Sequence, residues 1–79
     1  MAYADPNETD RRLAALIGRL DAAGRPEAAA PLRRVRETAY TTGSEWRGEL
    51  GAALREALRQ PALGPDLRAE LEGLMARVR

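Results

Sequence analysis

Apolar residues along this chain recur with the period of a helix. Leu13, Leu16, Ile17 and Leu20 follow an i, i+3, i+4, i+7 rule and make one stripe. Ala28, Leu32, Val35 and Ala39 make a second, thinner one. Trp46, Leu50, Ala53, Leu54, Ala57 and Leu58 make a broad third, and Leu67, Leu71, Leu74, Met75 and Val78 a fourth. Gly and Pro clusters separate them: Gly24-Arg25-Pro26, Thr41-Thr42-Gly43, and the run from Gln60 to Pro65.

The pattern predicts helices over about Pro6–Ala23, Pro26–Tyr40, Gly43–Arg59 and Pro65–Val78. Asp5 and Glu8 have the spacing of a capping box, and so do Thr42 and Glu45. Pro6, Pro26 and Pro65 stand at first helical positions, where the missing N–H costs nothing. Gly24 supplies a left-handed stop. Arg77 and Arg79 sit at the negative end of the fourth helix, where cations help. Pro31 is the awkward residue: it must either kink the second helix or lie close to its start, because inside a helix it deletes a backbone hydrogen bond. Gly48 and Gly51 inside the third helix each cost about 1 kcal/mol relative to Ala. They either let another helix approach closely or are tolerated flaws.

Short connections favour antiparallel neighbours, so the expected fold is all-α: a compact four-helix bundle or a pair of antiparallel helical hairpins. Pro26 leads Leu32 and Val35 by the same offsets as Pro65 leads Leu71 and Leu74. Ordinary helix grammar produces that spacing without duplication. The chain has 79 residues and a mass of 8.6 kDa, one domain near the lower limit of independent stability. A homodimer that completes the core is therefore a real alternative to a monomer. Residues 1–5, which include Tyr3, open a polar, acidic N-terminal segment and are expected to be loosely ordered.

Composition narrows the chemistry. Cys and His are absent and all 13 basic residues are Arg, against 12 acidic residues. That removes thiol nucleophiles, disulfides, Cys/His zinc sites, imidazole catalysis and lysine chemistry. Ser44, Thr38, Thr41 and Thr42 lack an obvious activating base. Glu45 with Glu49, and Asp66 with Glu70, pair at i, i+4. A hard cation needs oxygens converging from several elements, so solvated surface charge is the plainer reading. No cofactor or metal is expected, and no enzyme activity.

No apolar run reaches the ~18 residues of a membrane span, and the polar, acidic start is unlike a secretory signal. A cytoplasmic protein is expected. The Ala-, Arg-, Gly- and Pro-rich, Lys-free composition resembles translation from a GC-rich bacterial genome.

Nucleic acid is a weaker prospect. Residues 1–40 hold seven Arg against six acids, and residues 41–79 six against six, so neither half is basic. Arg33, Arg34 and Arg36 point in different directions on a helix, and Glu37 offsets Arg33. Ala39 and Gly43 have the spacing of a helix-turn-helix, which would make the third helix a recognition helix. Thr42, Ser44 and Glu49 then stand where that motif buries apolar residues.

What remains is protein recognition, as an adaptor, an inhibitor, or an antitoxin-like or toxin-immunity protein. Tyr40, Trp46 and Arg47 cluster around the 41–44 turn, and Arg36 lies one turn before Tyr40. Trp, Tyr and Arg dominate binding hot spots. Arg36, Tyr40, Trp46 and Arg47 are the expected protein-binding residues, although a core anchor is the plainer reading of Trp46. The alternatives are a small dimeric DNA-binding domain and a self-associating structural subunit.

Overall fold

The computed structural model describes residues 6–61 and 63–78. Four helices follow one another: α1 (Pro6–Ala22), α2 (Pro26–Glu37), α3 (Gly43–Leu58) and α4 (Pro65–Val78). Among the described residues there is no strand. Each helix packs on two neighbours: α1 on α2 and α4, and α3 on α2 and α4. The diagonal pairs stay apart, so the helices form a closed ring around one core.

Contacts fix the directions. Arg19 meets Glu70, and Arg77 meets Thr9 and Glu8, so α1 and α4 run antiparallel. Arg68 near the start of α4 donates to the Leu58 carbonyl at the end of α3 (3.3 Å), which makes that pair antiparallel too. The result is an up-down-up-down four-helix bundle with connections of three to six residues.

The stripes face inward. Leu13, Leu16, Leu20, Leu32, Leu50, Leu54 and Leu71 are essentially inaccessible to solvent, and Leu63 in the last connection joins them. Trp46, Leu58 and Val78 pack against this core while keeping partial exposure. Leu32 with Val35, and Leu71 with Leu74, are buried on α2 and α4, the two diagonal helices that share the Pro-led spacing.

The helix ends follow from side-chain chemistry. Gly24 takes φ +73°, and behind it Arg25 N–H donates to the Leu20 carbonyl (2.8 Å) and Gly24 N–H to the Asp21 carbonyl (3.0 Å). This is a Schellman termination, which needs a left-handed residue at Gly24's position. Thr42 caps α3, its hydroxyl accepting from Glu45 N–H at 3.0 Å. The Glu45 carboxylate reaches back one residue further than in a standard capping box, accepting from both the N–H (3.2 Å) and the hydroxyl (3.0 Å) of Thr41. The Asp5 cap, the Arg79 charge and the loosely ordered 1–5 segment fall outside the described residues.

The second helix departs from the periodicity. It ends at Glu37, not Tyr40, and Ala39 is exposed instead of facing the core. The Thr38 hydroxyl donates to the Arg34 carbonyl (2.7 Å) and its N–H to the Val35 carbonyl (3.4 Å), so local side-chain bonding closes the last turn. At the other end, the helix runs through Pro31 instead of starting there, and buries it together with Ala28 and Ala29. Pro31 thus gives up a backbone hydrogen bond but is buried against its neighbours.

Candidate functional site

Residues 38–42 join α2 to α3 and carry the expected recognition residues to one end of the bundle. Below that turn α2 and α3 leave a groove of about 410 Å³. Pro31, Val35, Ala52 and Ala53 give it an apolar lining, and Tyr40, Thr38, Arg34, Glu49 and Glu56 surround them. Tyr40, three residues past the end of α2, is half-buried, packs against the core and lines this groove. A phenol in that position offers an apolar body and a polar tip to whatever enters.

Trp46 lies in the first turn of α3, one turn before Leu50 on the inward stripe. Its ring is half-buried, so it serves as a core anchor and still presents surface. Arg47 beside it is exposed. Tyr40, Trp46 and Arg47 therefore flank the same turn.

Arg36 has a different setting. Since α2 stops at Glu37, Arg36 and Tyr40 do not share a helix face. Its guanidinium grips Asp10 on α1 through two hydrogen bonds, Nε to Oδ1 at 3.0 Å and Nη2 to Oδ2 at 3.1 Å. Those bonds, and the carboxylate's negative charge, hold the Arg36 pKa above its ordinary value. The side chain clamps α2 onto α1.

Its neighbours are spent similarly. Arg33 pairs with Asp21 on α1, and Arg34 with Glu56 on α3 at 3.4 Å. The densest basic cluster in the sequence thus splays across two other helices, each cation beside a carboxylate. Among the described residues no group of three or more acidic side chains is placed to hold a metal ion. No described helix is long and apolar enough to cross a membrane.

Sequence reasoning missed three features here. Pro31 was expected to disrupt, and it lines the groove. Asp10 pairs with Arg36 across 26 positions, a separation that no local rule reads. Thr9 is a buried polar residue on α1, near Arg77 Nε at 3.5 Å. Its place on the Leu13–Leu16 side of the helix, four residues before Leu13, was the available signal.

Compared with protein families, curated proteins and solved structures, the chain matches none of them.

Proposed function

We propose that this chain is a non-enzymatic protein-recognition module that binds its partner protein through the α2/α3 end of the bundle, with Tyr40 and Trp46 as apolar anchors and Arg47 beside them. The observation that carries this reading is the α2/α3 groove. Pro31, Val35, Ala52 and Ala53 give it apolar lining among charged neighbours, and half-buried Tyr40 lines it too. An anchor that is already packed loses little side-chain freedom on binding, so more of its contact energy reaches the complex. Arg36 leaves the recognition set, because Asp10 holds it.

The pairing of Arg33, Arg34 and Arg36 with carboxylates argues against a phosphate-binding face, which needs cations concentrated on one side. The proposal includes a bacterial, cytoplasmic setting, on composition alone: no Cys to staple a small secreted domain and no Lys among 13 basic residues.

The test compares capture by the native chain with capture by Tyr40→Ala and Trp46→Ala variants, using Arg11→Ala on α1 as the control. A protein retained by native chain and control, and lost from both aromatic variants, is then titrated in purified form. Its Kd should rise about 30-fold for each anchor, the equivalent of ~2 kcal/mol. Equal affinity for all four chains, with helical content unchanged, refutes the proposal. So does duplex DNA binding that weakens steeply with salt.

A further inference from the structure

We infer that the opposite side of the bundle, the α1/α4 face, binds a second copy of this chain, with α4 lying antiparallel against α4 of the other copy. The two helices leave an open groove of about 680 Å³ there. Beside Ala69 and Leu74, its α4 wall carries one line of positions, Asp66, Glu70, Gly73 and Arg77, spaced i, i+4, i+7, i+11.

Charge along that line is antisymmetric. Asp66 and Glu70 are at the N-terminal end, and Arg77 is at the other. About 16 Å separates Asp66 from Arg77 at 1.5 Å per residue. The line's midpoint falls between Glu70 and Gly73. A two-fold axis through that midpoint, perpendicular to the helix, sets Asp66 of each copy against Arg77 of the other and Glu70 against Gly73. A contact of this kind is self-complementary and closes at two copies. A parallel arrangement would set like against like.

The ion pairs within one copy leave those end charges incompletely matched. Glu70 is satisfied by Arg19. Arg12 and Arg77 share the single carboxylate Glu8, at 3.1 Å and 3.5 Å. Asp66 has no ion pair among the described residues. Thus the groove keeps surplus negative charge at one end and surplus positive charge at the other, as the antiparallel contact requires. At its centre nothing stands within 4 Å of where a Cβ on Gly73 would lie, so a second helix can come close. A stable dimer needs about 600–800 Å² from each copy, a modest share of the 5034 Å² available. This contact leaves the α2/α3 groove uncovered, so the dimer would present two recognition ends.

Sedimentation equilibrium at low salt tests the inference independently of any partner. The native chain should approach twice its 8.6 kDa mass as concentration rises, with weaker association at high salt. Asp66→Arg makes both ends positive and Arg77→Asp makes both negative, so each alone should dimerise at least about tenfold more weakly. Mixed in equal amounts, the two should form a heterodimer. Ala69→Arg changes an exposed residue beside the line, so it leaves the fold intact, and it should give a monomer. Circular dichroism checks that each variant is folded. A native chain that stays monomeric at millimolar concentration overturns the inference. A dimer that survives Ala69→Arg overturns it as well, as do folded charge variants that fail to associate when mixed.

Discussion

Gly18 and Gly48 lie inside α1 and α3, and each wastes helical stability for no contact in return. Building a Cβ on either meets nothing within 4 Å. Replacing both with Ala removes two helix-interior glycines, each worth about 0.8–1 kcal/mol, for a combined gain of roughly 2 kcal/mol. In a domain of this length that raises Tm by about 6–16 °C. Gly24 is the internal control. At φ +73° its backbone lies where an L side chain is strained, so Gly24→Ala should cost about 1–2 kcal/mol, although a Cβ there also meets open space. The same substitution thus carries opposite signs at two kinds of site, set only by backbone conformation. Thermal and urea melts followed by circular dichroism read both, at fixed protein concentration so that self-association does not move the midpoint. If Gly18→Ala/Gly48→Ala melts no higher than the native chain while keeping its m-value, these glycines contribute a contact that the fold does not display.

Leu54→Ala empties the inner face of α3 and should cost 2–5 kcal/mol in urea titration, enough to leave much of so small a domain unfolded. Thr42→Ala removes the α3 cap and should cost about 1 kcal/mol, mostly restored by Thr42→Ser or Thr42→Asn. Gly51 accepts Ala, since a Cβ lies at ordinary distances of 3.8 Å from Arg55 and 3.9 Å from Val78; Gly51→Leu overpacks the same place and should lower stability by about 1–3 kcal/mol. The Asp10–Arg36 clamp raises the guanidinium pKa, so its contribution is complete below the ordinary guanidinium range and fades only as pH climbs through it. Asp10→Asn should therefore lower the unfolding free energy from urea titration equally at pH 6 and pH 9, by less than about 1 kcal/mol for so exposed a pair.

Helix existence was legible because several physical signals agree: a stripe of period 3.6 in every helix, Pro at the first position of α1, α2 and α4, the Thr42 cap of α3 and the Gly24 stop of α1. Leu13, Leu16, Ile17 and Leu20 illustrate this, all predicted inward and all buried. The failures fall where tertiary contact overrides local rule. Pro31 is penalised by backbone accounting, yet the bundle recovers apolar contact from its ring. Ala39 continues the stripe on paper, but Thr38 closes α2 first. The placement of the proposed binding residues was partly legible. Tyr40, Trp46 and Arg47 do flank one turn, whereas Arg36 was assigned from a helix continuity that ends at Glu37. Its true setting depends on Asp10, and such pairings emerge only when the ring of helices closes. Gly48 shows the reverse failure: close packing was one reading of it, and its surroundings in the bundle are open.

The arrangement of charge ties these observations together. A chain with 13 Arg, 12 acidic residues and a small Leu core has limited means to fix which helix neighbours which. Leu stripes are interchangeable, and a four-helix ring could close with either hand from the same stripes. The ion pairs are not interchangeable: Asp10 and Asp21 take Arg36 and Arg33 from α2, Glu56 takes Arg34, and Glu70 takes Arg19. Each exposed pair adds little stability, but a misassembled ring would leave several of them opposed to like charge. On this argument the interhelix pairs of Arg19, Arg33, Arg34, Arg36 and Arg77 select the topology. The proposed recognition surface draws instead on Tyr40 and Trp46, which the bundle leaves half-buried beside the α2/α3 turn.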